Sequence, residues 1–213
     1  MTKLTFDITM SLDGFIAGPN QTTEQPLGEG GERLHEWVYG LRTWREKLGL
    51  EGGATNRDSE IFEESLATTG AVIMGRGMFG GGDGPWDESW EGFWGDDPPY
   101  HAPVFVLTHH PREALTMKGG TTFAFVTDGI TSALEQARAA AGGKNVAVAG
   151  GASVAQQYLK AGLLDEFQVH VSPILLGHGT RLFDDLGPEP IGLKITRTVE
   201  SPAVTHVMYT VVR

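Results

Sequence analysis

The sequence predicts an α/β protein with a mixed, mostly parallel central sheet, flanked by helices and closed by a C-terminal antiparallel hairpin. Between residues 71 and 176, short apolar runs alternate with segments of helical spacing, as in parallel strands joined by crossover helices. The last two strand-like segments, 191–200 and 203–212, flank the turn residues Ser201 and Pro202. This arrangement is typical of a hairpin.

The N-terminal third predicts one strand and two helices. Residues 4–10 alternate polar and apolar, so Leu4, Phe6, Ile8 and Met10 share one face of a strand. From Glu32 to Leu48, apolar residues recur at three- and four-residue steps and predict one helix with an apolar stripe: Leu34, Trp37, Val38, Leu41, Trp44 and Leu48. A glycine-rich stretch then leads into a second helix, whose inner side is formed by Ile61, Phe62, Ser65 and Leu66.

The remainder predicts buried strands separated by helices. Apolar runs predict strands at "AVIM" (71–74), "VFVLTHH" (104–110), "TTFAFVT" (121–127) and "NVAVAG" (145–150), and a long strand at 165–176. Helical spacing predicts helices over 130–141 and 151–162. Residues 80–103 mix glycine, proline, acids and three tryptophans, which predicts a long ordered loop or a short helix between turns.

Composition narrows the function classes. A chain of 213 residues with 40% hydrophobic content predicts a single domain over residues 1–213, with an inserted helical segment at about 19–57. The net charge of −11 argues against nucleic-acid and anionic-membrane partners. The absence of cysteine excludes disulfides and Cys-ligated zinc. Because no segment has the pattern of a signal peptide or a membrane span, we expect a cytoplasmic protein.

Two glycine groups follow predicted strands. Gly150 and Gly151 separate a strand from a helix, either to make a tight turn or to let an anion such as a pyrophosphate approach the helix N-terminus. Residues 75–80, "GRGMFG", fit the G-x-G-x-x-G pattern of Rossmann domains, with Asp96 or Asp97 downstream. We reject that interpretation because Gly80 leads into "GGDGPW", which cannot continue a helix.

The segments "AVIMGRGMF", "VFVLTHH" and "VAVAGGASVAQQYLKAGLLDEFQVHVSPILLGHGTRLF" resemble the cofactor side of the dihydrofolate-reductase-like fold. The chain is most similar to the reductase domain of the bifunctional deaminase-reductases of riboflavin synthesis and to its stand-alone relatives, whose first loop "MSLDGFIAGP" matches. The zinc deaminase signature of the bifunctional enzymes is excluded without cysteine. Only a reductase half can be present.

The resemblance implies a homodimeric, NADPH-dependent oxidoreductase. Hydride would pass to a C=N or C=O carbon of a small heterocyclic substrate, as in 5-amino-6-(5-phosphoribosylamino)uracil reductase. Three alternatives remain: a dihydrofolate or pteridine reductase, a flavin-dependent reductase, and a non-catalytic dinucleotide-binding protein. Asp58 and Glu60 match only approximately the position of the acid that holds the pteridine in folate reductases.

The resemblance also implies the site residues. The cofactor contacts would be Ile16, Ala17, Gly75, Arg76, Gly77, Met78, Leu107, Thr108, His109, His110, Ala149, Gly150, Gly151, Ala152, Ser153 and Val154. Arg76 would hold a phosphate, or else form a surface ion pair. His109 and His110 replace an arginine that usually binds the adenosine 2′-phosphate in the family. A metal site at these two histidines would need a third ligand with suitable local spacing, which the sequence lacks, so we predict no metal site.

The loop at 11–17 would flank the nicotinamide, with Gly14 allowing it to move as a lid. The candidate proton donors are Asp13 and, alternatively, an ordered water. Asp13 could instead be a turn-forming side chain that bonds its own backbone. Trp86, Trp90 and Trp94 would wall a planar substrate or pack the loop that carries them.

Overall fold

The structure, a computed structural model, describes residues 2–212 as alternating strands and helices. In chain order these are β1 (Leu4–Ser11), β2 (Phe15–Ala17), α1 (Glu36–Tyr39), α2 (Arg42–Lys47), α3 (Arg57–Thr68), β3 (Thr69–Gly75), α4 (Arg76–Phe79), β4 (Pro103–Leu107), β5 (Leu115–Thr116), β6 (Thr122–Val126), α5 (Gly129–Ala140), β7 (Asn145–Gly150), α6 (Ala152–Lys160), β8 (Glu166–Ser172), β9 (Thr180–Arg181), β10 (Gly192–Glu200) and β11 (Thr205–Val212). Single 3₁₀ turns occupy Gly31–His35 and Lys118–Gly120.

The chain divides into two compact units. Unit 1 contains residues 2–6 and 69–165, and unit 2 contains residues 7–68 and 166–212. The strand β1 contributes its first residues to unit 1 and its remainder to unit 2. The assignment of all 213 residues to a single domain stays a prediction.

Unit 1 is built on parallel strands. Their order is β1-β7-β3-β4-β6, with the short β5 added antiparallel to β6. Apolar residues of β3, β4 and β6 pack with Phe79 in one buried cluster, formed by Val72, Met74, Val104, Val106 and Phe123. The continuous apolar runs read from the sequence are those of strands buried on both faces. The predicted α/β class with a mixed, mostly parallel sheet is confirmed.

Unit 2 contains the antiparallel part of the fold. Its strand order is β10-β11-β8-β1, and the pairs β10–β11 and β11–β8 are antiparallel, which confirms the predicted C-terminal hairpin. A second, two-stranded sheet pairs β2 with β9. The predicted strand at 165–176 is too long, because β8 ends at Ser172. The next residue is Pro173, which lacks the N–H that a ladder requires.

The predicted N-terminal strand is present as β1, but its buried face changes along its length. Leu4 and Phe6 are buried on one face, but the next buried positions are Thr9 and Ser11, on the opposite face. Hydrogen bonds explain this shift, since Trp37 Nε1 donates to Thr9 Oγ1 (3.1 Å) and Phe15 N donates to Ser11 Oγ (2.9 Å). A polar face can be buried when its groups find partners.

The single helix predicted over 32–48 is also wrong. A 3₁₀ turn, α1 and α2 replace it, and Leu41 between the two helices is extended. The backbone there pairs with Ala54, whose N donates to Gly40 O (2.8 Å) and whose O accepts from Arg42 N (2.9 Å). Trp37, Val38 and Leu41 pack against Val204 inside unit 2. Most of the apolar stripe is therefore covered without a second subunit, although Leu48 is 40% exposed.

Candidate functional site

The first group of predicted site residues lies where the parallel strands of unit 1 end. β3 ends at Gly75 beside Leu107 of β4, and the neighbouring Met74 pairs with Gly150 of β7. The carboxyl ends of parallel strands are where open α/β sheets bind ligands. The structure thus brings together the three segments that the resemblance assigned to the cofactor.

The glycine step at the end of β7 forms an open helix N-terminus. The peptide bond between Gly150 and Gly151 is cis, and Gly150 has a φ of 133°. Gly151 is the N-cap of α6 and provides no side-chain cap, so helical geometry leaves the first N–H groups without a side-chain acceptor. A Cβ built on Gly151 would meet no atom within 4 Å. This combination of free space and N–H groups suits an anion.

Gly75 is required for a different reason. A Cβ at this position would lie 2.9 Å from the side chain of Val154 in the first turn of α6. Glycine therefore allows β3 and α6 to pack closely. By contrast, Gly77 in α4 has open space around its Cβ position.

Arg76 is tied to the loop that follows it. Its Nη2 donates to Gly84 O (2.6 Å) and Gly81 O (3.3 Å), and its guanidinium lies 3.7 Å from the centre of the Trp86 ring. These contacts differ from the surface ion pair considered as an alternative. The Nε and Nη1 atoms are buried and have no hydrogen-bond partner among the described residues. Two nitrogen atoms of a permanent cation are thus buried without a hydrogen-bond acceptor in the described part of the chain.

The segment after β4 is held mainly through its backbone. Thr108 is buried; its N donates to Val126 O (3.1 Å) and its Oγ1 accepts from His110 N (3.1 Å). The indole of Trp86 donates to His110 O (2.9 Å), whereas His109 is exposed. Among residues 2–212, no three His, Cys, Asp or Glu side chains are arranged to hold a metal ion.

The tryptophan loop packs on unit 1. No helix or strand forms between Gly80 and Ala102, which agrees with the long ordered loop. Trp86 and Trp90 lie against the cluster around Phe79, and Trp90 Nε1 donates to Phe79 O (3.1 Å). These contacts fit the packing interpretation of both tryptophans. Helix α4 is a single turn that ends before Gly80 (φ 90°), as the rejection of the Rossmann pattern requires.

Arg112 was overlooked in the sequence. Its side chain is only 1% exposed, its guanidinium lies 5.2 Å from the Trp86 ring centre, and its Nη2 donates to Glu88 O (3.0 Å). Trp86 therefore contacts two guanidinium groups. The sequence contains a signal for this residue: Arg112 follows the "THH" segment by two positions. It lies close to where the resemblance implies an arginine at the adenosine 2′-phosphate.

In unit 2, Asp13 joins two loops. Its carboxylate accepts hydrogen bonds from Ser11 Oγ (2.6 Å), Gly177 N (2.7 Å) and Leu176 N (3.1 Å). The Ser11 hydroxyl, followed by the two backbone N–H groups, lowers the pKa of Asp13 to about 2. The side chain is therefore an ionised acceptor at neutral pH, which favours the backbone-bonding interpretation. A catalytic role for Asp13 stays a prediction.

We expect Asp13→Asn to loosen the loop but to leave the pH dependence of the activity unchanged. A carboxyl with a lowered pKa stabilises the fold above its ordinary value of 3.8 and loses that effect as the pH falls towards about 2. Between pH 5 and 8, roughly, the pH dependence of kcat should be the same in wild type and variant. If the fall of kcat with rising pH were present in the wild type but absent in the variant, Asp13 would be identified as the proton donor.

Ile16 and Ala17 belong to β2, where Ala17 pairs with Thr180 of β9. Both side chains are buried, at 7% and 3% exposure. Contact with a ligand would therefore involve mainly their backbone. The cofactor contacts predicted for these two residues stay predictions.

The fold defines an α/β protein in which the predicted site residues of unit 1 lie at the ends of parallel strands. The chain belongs to the RibD C-terminal domain family, whose model matches residues 2–207. That family is one of reductase domains, so membership supports an oxidoreductase. The sequence is 34% identical over 220 residues to the uncharacterised protein YyaP of Bacillus subtilis strain 168, covering 97% of this chain and 94% of YyaP.

Solved structures share the fold. A protein of Shewanella sp. PV-4 assigned to riboflavin biosynthesis superposes with a TM-score of 0.65 at 21% identity, and each chain is covered completely. The deaminase/5-amino-6-(5-phosphoribosylamino)uracil reductase of Thermotoga maritima gives 0.59 at 16% identity, with 99% of this chain matching 57% of that one. A pyrimidine reductase-like protein of Corynebacterium diphtheriae gives 0.51 at 15% identity, covering 100% and 92%.

Within residues 2–212, no helix has the length and apolar character needed to cross a bilayer.

Proposed function

We propose that this chain is an NADPH-dependent reductase of a small heterocyclic molecule. The observation that carries the proposal is the N-terminus of α6 beside Gly151, where no side chain caps the first N–H groups and the space around Gly151 is open. Membership in a reductase family supports the reaction class. NADPH, when bound, supplies the hydride, and the protein supplies binding, orientation and exclusion of water.

The residues of unit 1 suit an anionic dinucleotide. The first turn of α6 would hold the pyrophosphate through backbone N–H groups, which need no side chain at Gly151. Arg76 would offer Nε and Nη1 to a phosphate, because only its Nη2 is used by loop carbonyls. Thr108 would keep the segment after β4 in place through its hydrogen bond with His110.

The substrate class follows from the relatives. The Thermotoga protein is a uracil reductase and the Corynebacterium protein is pyrimidine reductase-like, so a pyrimidine or related heterocycle is the first candidate. The test is a screen of pyrimidines, pteridines and quinones for substrate-dependent oxidation of NADPH. Tight NADPH binding without turnover across the screen would favour the non-catalytic alternative. A yellow purified protein would favour a flavin-dependent reductase.

We also propose that the chain forms a homodimer through the outer strand of unit 2. Most of the 32–48 stripe is covered, whereas β10 presents apolar side chains to solvent: Leu193 and Ile195 are 45% and 60% exposed. Strand β10 lies at the edge of its sheet, and an edge strand with apolar side chains can pair with a second copy about a two-fold axis.

Sedimentation at micromolar concentration should therefore show a dimer for the wild type and a monomer for Ile195→Lys. Leu50→Lys is the matched control, since Leu50 is also an exposed apolar residue (48%) but lies outside β10. A wild type that is entirely monomeric, or an Ile195→Lys dimer, would contradict the proposed pairing.

A further inference from the structure

Four ionisable side chains form a continuous hydrogen-bonded chain inside unit 2. Asp7 Oδ1 contacts His170 Nε2, His170 Nδ1 lies 2.6 Å from His206 Nδ1, and His206 Nε2 lies 3.0 Å from Asp58 Oδ1. The two histidines are direct cross-strand partners on β8 and β11. His170 and His206 are 3% and 0% exposed, so water cannot replace these contacts. The proposed reductase activity uses none of the four groups.

The number of protons in this chain follows from its geometry. Each of the three contacts needs one proton between its two atoms, because two facing lone pairs at hydrogen-bond distance repel each other. Two ionised carboxylates and two neutral imidazoles supply only two protons. If each imidazole donates Nε2–H to its carboxylate, both Nδ1 atoms face each other as bare acceptors. The observed arrangement therefore requires a third proton.

The surroundings indicate which ring carries it. Burial raises the pKa of Asp7, but the positive charge and hydrogen bond of His170, with the Ser65 hydroxyl, outweigh burial and lower it. Asp7 is thus an ionised partner for a cation. Burial lowers the pKa of His206, and the charge of His170 lowers it further, against the opposing effect of Asp58. His206 is therefore the neutral member of the pair.

We propose that unit 2 binds one proton between His170 and His206. His170 is an imidazolium that donates Nε2–H to Asp7 and Nδ1–H to His206. His206 is the neutral tautomer that accepts at Nδ1 and donates Nε2–H to Asp58. This device makes the stability of unit 2 depend on pH.

The neighbouring groups agree with a single positive charge. The Trp37 ring centre lies 4.7 Å from that of His170 and 5.2 Å from that of His206, where an indole can stabilise a cation. His35, in the 3₁₀ turn, faces His170; burial first lowers its pKa, and His170 lowers it further, while Glu32 opposes these effects. His35 is therefore a neutral neighbour. The carboxylates facing the pair are Asp7 on β1 and Asp58 on α3.

Linkage fixes the sign of the pH dependence. In the unfolded chain, the two histidines hold a total of two protons well below a pH of about 6.5. The total is one proton at that pH and none well above it. The folded pair holds one throughout, so its contribution to stability is largest near pH 6.5. The unfolding equilibrium constant should rise about threefold over the first pH unit on either side, and about eightfold over the second.

Nitrogen NMR of the imidazole rings in the intact chain tests the proton count directly. Near pH 7 we expect three of the four ring nitrogens of the pair to be protonated, with His206 Nδ1 as the bare one. Signals are assigned by comparing His206→Gln with the wild type. Two neutral rings, or two imidazolium rings, at this pH would overturn the proposal.

Stability profiles supply an independent test. In His206→Gln, the glutamine amide can donate to His170 Nδ1, so no third proton is required and the rise in the unfolding constant above pH 6.5 or so should disappear. His178→Gln, which removes an exposed histidine, should retain that rise. A wild type without the rise, or a His206→Gln protein that keeps it, would contradict the proposal. If His206→Gln does not fold, a wild-type profile without a maximum near pH 6.5 is the contradicting result.

Discussion

Gly151→Val should lower the affinity for NADPH by about a hundredfold or more while the protein remains folded. Two charge-assisted hydrogen bonds lost at the pyrophosphate would together be worth roughly 3 kcal/mol or more, and each 1.4 kcal/mol is about a factor of ten. The protein alone has room for a side chain to begin at this position, because a Cβ of residue 151 would meet nothing within 4 Å and φ is −80°. The valine would occupy the space intended for the phosphates.

Calorimetric titration with NADPH and thermal unfolding measure the two halves of this prediction. Gly40→Val is the matched control, since Gly40 also has open space around its Cβ position and an ordinary φ of −82°. The control should bind NADPH normally. Equal NADPH affinities for Gly151→Val and the wild type would contradict the placement of the pyrophosphate at the α6 N-terminus.

Arg76→Gln should reduce the preference for NADPH over NADH by about tenfold to a hundredfold. A charge-assisted contact to the additional phosphate is worth roughly 1.5 to 3 kcal/mol, and a chain of net charge −11 repels that phosphate unless local donors meet it. The guanidinium has two nitrogen atoms, Nε and Nη1, that have no hydrogen-bond partner within residues 2–212. Titration with both cofactors gives the ratio of the two dissociation constants.

NADH serves as the internal control in this experiment. Arg76 also supports the loop through Gly81, Gly84 and Trp86, so a general disturbance would weaken both cofactors alike. Weaker NADPH binding with unchanged NADH binding is the expected pattern. An unchanged preference for NADPH over NADH would indicate that another cation binds the additional phosphate. Arg112, whose guanidinium also lies against the Trp86 ring, would then be tested next.

The sequence predicted the parallel half of the fold well because its signals are local. The apolar runs that became β3, β4, β6 and β7 are bounded by turn residues, and α5, between β6 and β7, has regular helical spacing. The strand ends Gly75, Leu107 and Gly150 followed from the resemblance, and the structure brings them to one edge. Whether these residues bind a cofactor stays a prediction.

The failures arose where tertiary contacts outweigh periodicity. Leu41 keeps helical spacing, yet its segment pairs with Ala54 in an extended conformation. Thr9 and Ser11 are polar residues of an alternating strand, yet both are buried: Thr9 accepts a hydrogen bond from the distant Trp37, and Ser11 accepts one from the nearby backbone of Phe15. The histidine pair was missed because His170 and His206 lie 36 residues apart and become neighbours only through the register of β8 and β11.

The most direct test of the cofactor site is amide NMR of the intact chain during titration with NADPH. The proposal predicts that the signals of Gly151, Ala152 and Ser153 shift strongly, because their N–H groups face the pyrophosphate, and that those of Gly75 and Arg76 shift with them. Saturating NADPH that leaves the α6 N-terminus unperturbed, or that does not bind at all, would contradict the proposed site and with it the proposed function.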